Sequence, residues 1–299
     1  MDIDIFFLGT GQAVPTARRN HTSVLLRYKN ENILFDCGEG TQRQLRKAGL
    51  NPCSITKIFI SHWHGDHVLG LLGMFQTMAL SGYNKTLEVY GPVGTKTYLE
   101  RLMHAFVFVR DFKVNIKEIR NEYEIPFGDF IVDVYKLNHT IPCLGYRFVE
   151  KDKVRIEKKK LKKYGLKQGP VIGELKRGEK LKIKGRIVTI KDISYVQKGK
   201  VIGLIFDTAL ADNCYKIARN ADLLISESTY LDDLKDKAKE YKHLTNVQAA
   251  EVARKANACK LALIHVSQRH ELDDKKIIAG ARKVFKNTIL TEDLMKIEV

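Results

Sequence analysis

Residues 62–67 read His-Trp-His-Gly-Asp-His, and this segment constrains the fold and chemistry of the chain more than any other. It follows a short apolar run, Ile58 to Ser61, and precedes an apolar stretch, Val68 to Leu80, that glycines interrupt. This pattern predicts a strand that ends in a tight turn and opens a helix. Imidazole nitrogens and carboxylate oxygens are the donors that zinc and similar divalent ions prefer. The segment therefore predicts a metal site.

The spacing of these four side chains suits two ions rather than one. In an extended backbone His62 and His64 point to the same side, whereas Asp66 and His67 lie just past the bend and can serve a neighbouring ion. The alternative is a solvated, histidine-rich surface loop. Ligand candidates elsewhere in the chain argue against that alternative.

Length and cysteine content place the chain in a broad class. At 299 residues it can form one large or two ordinary domains. The five cysteines are scattered and form no C-x-x-C pair, which indicates a reducing compartment and argues against a disulfide framework or a thiolate zinc site. The start of the chain is acidic, unlike a signal peptide, and no apolar run reaches the roughly 18 residues of a membrane span. The sequence predicts a cytoplasmic protein without membrane contact.

Positive charge is concentrated in one part of the chain. The formal net charge is +16, and residues 151–200 contain 18 Lys and Arg against 5 Asp and Glu. Glycines interrupt any periodicity there, so we expect residues 151–195 to form a protruding, flexible basic arm. A polyanionic partner explains such a local excess, and a solvated lysine-rich surface is the alternative.

The remaining apolar runs predict an α/β fold with two sheets covered by helices. Strands are expected at Ile3–Leu8, Ser23–Tyr28, Ile33–Asp36, Lys57–Ile60, Leu87–Tyr90, Phe130–Leu137, Leu144–Val149, Val201–Phe206, Ala221–Ile225 and Lys260–Val266. Helices are expected at Thr41–Ala48, near Val93–Phe106, from Thr245 to about Asn257 and from Asp273 to about Phe285. Thr245 suits the N-cap position of its helix.

Three further ligand candidates lie at or near the ends of predicted strands. His139 and Asp207 each follow a strand, and His265 lies in the strand Lys260–Val266. Binding sites in α/β sheets are assembled where the carboxyl ends of strands converge. Taken singly, each residue has an ordinary interpretation as a core histidine or a turn aspartate. Together with residues 62–67 they predict one metal centre.

These residues resemble the metallo-β-lactamase superfamily, whose fold is a four-layered αβ/βα sandwich. Within it, the chain resembles the short form of the ribonuclease Z family, the tRNA 3′-processing endonucleases. Residues 15–20, Pro-Thr-Ala-Arg-Arg-Asn, are similar to the family's P-x-K-x-R-N loop, with Ala17 in place of the usual lysine. The resemblance implies a single domain over residues 1–299, with residues 151–195 as the inserted tRNA exosite.

Three other motifs support this resemblance. Residues 226–229, Ser-Glu-Ser-Thr, are similar to the family's H-E-A-T motif, with Ser226 as the first departure. Residues 243–245, His-Leu-Thr, match its H-S-T motif at the first and third positions. Gly169-Pro170 resembles the glycine-proline motif of the exosite.

The resemblance implies two Zn²⁺ ions per subunit, although Mn²⁺ and Fe²⁺ accept the same donors. The implied ligands are His62, His64 and His139 for one ion, Asp66, His67 and His265 for the other, and Asp207 as the bridge between them.

For catalysis we expect Asp66 to orient the attacking water, His243 to act as the general acid, and Glu227 to orient His243. The residues expected at the substrate are Arg19, Asn20, Gly169, Pro170 and Thr245. The resemblance implies cleavage of precursor tRNA after the discriminator nucleotide, leaving a 3′-hydroxyl on the tRNA and a 5′-phosphate on the trailer. It also implies a homodimer. No role is predicted for His21 or His270.

Two other functions compete with this interpretation. A small-molecule hydrolase of the same superfamily needs the metal motif but neither the basic arm nor the Arg19-Asn20 loop. An RNA-binding subunit with a dead nuclease site needs the arm but not the full ligand set. A redox di-iron relative fits less well, because such proteins carry a carboxylate where His64 stands.

Overall fold

The computed structural model describes residues 3–105, 107, 111–167, 169–183 and 185–299. The strands are β1 (Asp4–Gly9), β2 (Gly11–Gln12), β3 (Ser23–Tyr28), β4 (Glu31–Phe35), β5 (Lys57–Phe59), β6 (Leu87–Pro92), β7 (Val114–Ile119), β8 (Tyr123–Phe127), β9 (Phe130–Leu137), β10 (Cys143–Glu150), β11 (Lys153–Ile156), β12 (Leu181–Ile183), β13 (Arg186–Val188), β14 (Ser194–Gln197), β15 (Val201–Ile205), β16 (Leu223–Glu227), β17 (Leu261–Ile264), β18 (Val266–Ser267), β19 (Thr288–Leu290) and β20 (Lys296–Glu298). The helices are α1 (Thr41–Lys47), α2 (Gly65–Val68), α3 (Leu71–Leu80), α4 (Thr95–His104), α5 (Lys158–Lys163), α6 (Pro170–Lys176), α7 (Ile190–Ile193), α8 (Asp212–Ala218), α9 (Lys235–Glu240), α10 (Asn246–Lys255) and α11 (Asp274–Val284). Within the described ranges, none of these helices has both the length and the apolar character needed to cross a membrane.

Two seven-stranded sheets form the centre of the fold. The first has the order β20-β1-β3-β4-β5-β6-β7 and is antiparallel up to β4, then parallel. The second has the order β19-β17-β16-β15-β10-β9-β8 and is parallel up to β15, then antiparallel. Each sheet therefore has one parallel half, and the carboxyl ends of those parallel strands are where a site can form.

The two sheets pack face to face through an aromatic core. Phe59 stacks on Tyr90 with ring centroids 4.5 Å apart and meets Tyr146 of the second sheet edge-on at 5.2 Å. The Tyr146 hydroxyl, which is buried, donates to the carbonyl of Ile60 across the interface at 2.6 Å. Aromatic pairs of this geometry add roughly 0.5–1.5 kcal/mol each beyond the area that they bury.

Helices cover the outer face of each sheet. Leu45, Phe75 and Leu99 from α1, α3 and α4 belong to a buried cluster on the first sheet. Ile217 and Ile277, from α8 and α11, belong to the corresponding cluster on the second sheet. The result is the four-layered αβ/βα sandwich that the resemblance implied.

Most predicted elements are present, with shifted bounds. The prediction that Thr245 caps a helix is confirmed, since its side chain accepts from the backbone N–H of Gln248 and forms a capping box at the start of α10. Phe106, at the end of the predicted helix near residue 93, lies outside the described residues. The prediction that His265 lies within a strand is wrong: β17 ends at Ile264, and His265 follows it with a positive φ of 60°.

Four strands at or next to the sheet edges were not predicted from the sequence: β7, β8, β19 and β20. They are short, and β7 alternates half-buried and exposed positions. Such segments carry a weak apolar signal, because they are covered on one side only.

The basic segment contains more regular structure than its interrupted periodicity suggested. β11 pairs with β14, and β12 pairs with β13. Three short helices, α5, α6 and α7, lie between β11 and β14 in the chain. Leu161, Leu175, Val188 and Ile193 form a small buried cluster within it. The segment therefore has a core of its own, separate from the three clusters of the sandwich.

Candidate metal centre

The polar residues of the centre follow strand ends that converge at one edge of the two sheets. His62 comes after β5, His139 after β9, Asp207 after β15 and His265 after β17. The turn that opens α2 brings Asp66 and His67 back to the same place. The parallel strands aim these loops at one point, as expected for an α/β architecture.

One group of donors surrounds the Oδ2 oxygen of Asp207. His62 Nε2 lies 3.6 Å and His139 Nε2 lies 3.8 Å from this oxygen. His64 Nδ1 lies 3.0 Å from His62 Nε2 and 3.3 Å from His139 Nε2. All four ligand atoms fall within 4.8 Å of one another.

A second group surrounds the other oxygen, Asp207 Oδ1. His67 Nε2 lies 3.5 Å and His265 Nε2 lies 3.2 Å from Oδ1. Asp66 Oδ2 lies 3.5 Å from His67 Nε2 and 3.4 Å from His265 Nε2. Asp207 therefore divides its two oxygens between two donor groups.

These spacings fit metal ions. Donors about 2.0–2.1 Å from one tetrahedral ion lie roughly 3.3 Å from each other, close to the distances found here. Within the described residues, Asp207 Oδ1 is buried and has no hydrogen-bond partner. A buried carboxylate oxygen without a partner is costly, and a bound cation is the ordinary way to satisfy it.

The shifted pKa values of the donors also fit a site for a cation. Burial opposes ionisation of Asp207, but the surrounding imidazoles outweigh it and hold its pKa well below its usual range. Burial and neighbouring imidazoles lower the pKa of His62 well below its usual value. Burial lowers the pKa of His67, but the nearby carboxylates of Asp207, Asp66 and Asp36 outweigh burial and raise this pKa well above its usual value. A divalent cation takes the place of such a proton when ligands bind it.

Partners outside the donor groups hold two of the imidazoles near the first sheet. Asp36 Oδ2 lies 2.6 Å from His67 Nδ1 and also accepts from the Ser61 hydroxyl at 2.7 Å. The Ser61 hydroxyl in turn lies 2.9 Å from Nδ1 of His62. Sequence reasoning missed Asp36 as a site residue, although its position directly after β4 gives the same signal as that of Asp207.

Two more imidazoles, those of His265 and His139, are held by residues that follow β16 in the chain. The Thr229 hydroxyl lies 2.9 Å from His265 Nδ1, and the carbonyl of Lys242 lies 3.0 Å from His139 Nδ1. The Lys242 ammonium also donates to the carbonyl of His139 at 3.1 Å. Each of these contacts leaves Nε2 directed at the donor group. Such partners fix ring orientation in metal sites.

His243 and Glu227 meet beside the donor groups. Glu227 is fully buried, and its Oε1 lies 3.1 Å from His243 Nδ1 and accepts from the backbone N–H of Thr208 at 2.7 Å. Burial disfavours the imidazolium, but the carboxylates of Glu227 and Asp207 outweigh burial and raise the pKa of His243 to about 9. The predicted pairing of these two residues is present.

A cleft of about 430 Å³ gives access to the centre. Its lining includes His64, Asp66, His139, Asp207 and His243. Four of the seven predicted donors, His64, Asp66, His139 and Asp207, therefore face a space that can admit a substrate group.

A loop from the first sheet closes one side of this cleft. The backbone N–H of Ala13 donates to Asp66 Oδ2 at 2.8 Å, and the carbonyl of Ala13 lies 3.0 Å from His21 Nε2. His21 thus lines the cleft by supporting this loop. His270 is buried elsewhere, with Nδ1 3.4 Å from Asp273 Oδ2.

Arg19 and Asn20 hold the same loop to the body of the protein. Arg19 is 3% exposed, and its terminal nitrogens donate to the Thr10 hydroxyl, the Thr291 carbonyl and Asp274. The Asn20 amide donates to the carbonyl of Glu39 at 2.6 Å. Both side chains were predicted at the substrate, but in this structure their donors are directed into the protein.

The other predicted substrate residues, and the two positions that differ from the family motifs, lie in different parts of the structure. Thr245 is buried as the cap of α10. Gly169 and Pro170 open α6 in the basic segment. Ala17 is exposed on the loop, and the Ser226 hydroxyl is buried against the carbonyl of Glu227.

Comparison with known proteins identifies the family. A family model described as Anti-Pycsar protein Apyc1 matches residues 3–124, less than half of the chain. Ribonuclease Z of Methanothermobacter thermautotrophicus is 41% identical over 298 residues, covering 99% of this chain and 97% of that protein. Ribonuclease Z of Listeria monocytogenes is 39% identical over 306 residues, covering 99% of each. The crystal structure of human tRNase Z, short form, superposes with a TM-score of 0.73 at 32% identity over 98% of each chain.

The two kinds of match differ in what they cover. The Apyc1 model ends before Asp207, His243 and His265, whereas the ribonuclease Z relatives span both sheets and all of these residues. This chain therefore belongs to the ribonuclease Z family and is a hydrolase of the metallo-β-lactamase fold that cleaves phosphodiester bonds within RNA.

Proposed function

We propose that this enzyme removes the 3′ trailer from precursor tRNA, cutting after the discriminator nucleotide. The products are a tRNA with a 3′-hydroxyl and a trailer with a 5′-phosphate. One observation carries the proposal: Asp207 divides its oxygens between two histidine-rich donor groups in a chain with full-length ribonuclease Z relatives. Paired metal sites of this kind suit in-line displacement at phosphorus.

The proposed cofactor is a pair of zinc ions. His62, His64 and His139 would hold one ion, and Asp66, His67 and His265 would hold the other. Asp207, which lies next to both groups, would be shared between them. When bound, the ions supply Lewis acidity toward phosphate oxygens and acidify water near neutral pH. Manganese and iron are the alternative metals, and elemental analysis of the purified protein distinguishes them from zinc.

Asp66 and His243 perform the proton transfers in this proposal. Asp66 borders the cleft, where its carboxylate orients the attacking water and accepts its proton. The departing 3′-oxygen of the tRNA is a poor leaving group unless it is protonated, and His243, held as an imidazolium beside Glu227, donates that proton.

Glu227 acts as a positioning residue, since it is buried behind His243 and does not reach the cleft. Its carboxylate fixes the orientation of the imidazole through Nδ1. It also accepts from the Thr229 hydroxyl at 2.6 Å, so the same network supports the ligand His265.

Substrate selection rests on the basic arm over residues 151–195. Its lysines and arginines neutralise phosphates of the tRNA body, and Gly169-Pro170 shapes the turn that approaches the backbone. Arg19 and Asn20 act through the loop that they hold, and Thr245 acts through the helix that it caps. We propose that the enzyme works in the cytoplasm as a homodimer. Sedimentation of the enzyme with and without tRNA tests the oligomeric state directly.

The decisive experiment is cleavage of an end-labelled precursor tRNA with a 3′ trailer, with zinc and with a chelator. A single chelator-sensitive cut beside the discriminator nucleotide supports the proposal. Intact RNA that shifts in a gel favours an RNA-binding subunit. Intact RNA that does not bind favours a small-molecule hydrolase and overturns the assignment to tRNA.

A further inference from the structure

A second cleft, of about 540 Å³, lies behind His243. Its lining combines three lysines, two amide side chains, one carboxylate and two apolar residues. The lining residues besides His243 are Asn138, Ala209, Leu210, Lys235, Asp236, Lys239, Lys242 and Gln248. His243 also lines the cleft of the metal centre, and it is the residue that the two linings share.

The wall between the two clefts is a fixed structure. It consists of residues 138–140 and 241–243, whose members face one cleft or the other. The ammonium of Lys242 donates to the carbonyl of His139, and His139 Nδ1 lies 3.0 Å from the carbonyl of Lys242. Lys242 itself adopts a positive φ of 54°, in the left-handed region that residues other than glycine rarely occupy.

The second cleft is lined by more positive than negative side chains. Lys235 and Lys239 lie one turn apart on α9, where like charges repel each other. Both lysines are exposed, and neither ammonium forms an ion pair with any of the described residues. Asp236 is the single carboxylate in the described lining. Two unpaired ammonium groups at the edge of a cleft suit the oxygens of a phosphate chain.

The lining also fits a sugar. Ala209 and Leu210 present an apolar strip, with Leu210 38% exposed. Asn138 and Gln248 place neutral polar side chains beside it. Ammonium groups next to an apolar strip and amides match the alternation of phosphate and ribose along a nucleic-acid strand.

We propose that this second cleft binds the backbone of the nucleotides immediately 5′ of the cut, which is the strand that the tRNA keeps. The inference rests on the proposed function of His243. If His243 protonates the departing 3′-oxygen, the ribose that bears this oxygen lies at the wall. The nucleotides that precede this ribose then continue over the wall toward Lys235 and Lys239, while the trailer remains on the metal side.

The test compares Lys235→Ala/Lys239→Ala with Lys237→Ala in the metal-loaded enzyme. Lys237 is exposed on the same helix but does not line the cleft, so it controls for net charge and helix propensity. The ligand is a mature tRNA that ends at the discriminator nucleotide, and its Kd is measured over a range of salt concentrations.

We expect the double variant to bind this tRNA roughly fivefold to tenfold more weakly, since each exposed ion pair contributes a few-fold. The slope of log K against log salt should fall by about 0.7 for each lost phosphate contact. Lys237→Ala should change neither quantity. A tRNA that lacks its last few 3′ nucleotides should bind the double variant and the parent equally.

Three results would overturn the inference. Unchanged binding by the double variant would leave these lysines as a solvated surface. Weakened binding of precursor alone, with mature tRNA unaffected, would place the trailer in the cleft instead. A parent enzyme that binds mature tRNA through these lysines but does not cut precursor would remove the proposed function, and with it the assignment to the 5′ side.

Discussion

Glu227 and His243 are sixteen residues apart in the chain, and Glu227 Oε1 lies 3.1 Å from His243 Nδ1 beside the donor groups. The contact joins the end of β16 to the residues that precede α10. The contact fixes the orientation of the His243 imidazole at the wall of the cleft. This imidazole is not one of the proposed metal ligands. This arrangement is what a general acid needs.

His243→Ala is expected to lower kcat by about 10²–10⁴-fold on precursor tRNA, because general acid catalysis contributes that much. A precursor with sulfur in place of the 3′-oxygen at the cut should restore the rate of this variant, since a thiolate leaves without a proton. His104→Ala, at the exposed end of α4, is the control. Failure of the sulfur substrate to restore the rate would contradict a proton-donor role.

Asp207→Asn is expected to reduce the metal content from two ions per chain to about one. The amide keeps one oxygen, but its nitrogen cannot replace the second. Elemental analysis of the purified protein measures this, and Asp129→Asn, on the exposed turn before β9, should retain both ions. A parent protein that binds a single ion would rule out the two-metal proposal.

Asp36→Asn is expected to weaken metal binding by about 10–100-fold without removing a ligand. Asp36 fixes His67 through Nδ1 and holds Ser61, which in turn contacts His62. Competition with a chelator of known affinity gives the change. Equal metal affinity in the variant and the parent would show that ring orientation does not depend on Asp36.

Thr245→Ala is expected to cost about 1 kcal/mol of stability through loss of the N-cap, seen as a fall in Tm of roughly 2–4 °C. Because Thr245 is buried and acts only through the helix that it caps, KM for precursor tRNA should stay unchanged well below the Tm, where that helix remains folded. Thr245→Ser keeps the hydroxyl and is the matched control. A raised KM with an unchanged Tm would instead indicate direct contact with the substrate.

Deletion of residues 155–190 is expected to weaken precursor binding and flatten its salt dependence, since it removes phosphate contacts. Hydrolysis of a small chromogenic phosphodiester should persist, because the arm has its own core and none of its described residues is a donor at the centre. Lys158→Gln/Lys159→Gln, on the exposed start of α5, gives the same test without a deletion. Unchanged affinity and salt slope in both variants would show that the arm does not bind RNA.

The two-sheet architecture and most element positions followed from the local sequence. Residues 201–206 are buried at nearly every position, and residues 130–137 are buried at alternate positions. Such patterns can be read from the local sequence without knowledge of how the strands pack. The cap at Thr245 was predictable for the same reason, because an N-cap depends on residues within one turn. Strands β7 and β20 were missed because their pairing depends on distant neighbours and not on their own composition.

The sequence by itself determined which side chains could bind metal, since their chemical types and their places at or near strand ends are local properties. Only the tertiary structure decided that Asp207 faces both donor groups, that Asp36 and Lys242 orient ligands from distant parts of the chain, and that Arg19 is buried. Such contacts join residues as far apart in the chain as 103 positions for His139 and Lys242 and 198 positions for His67 and His265, and no periodicity in the sequence predicts them. They arise when strands from both sheets end at one edge, so geometry and not local pattern assigns each group its partner.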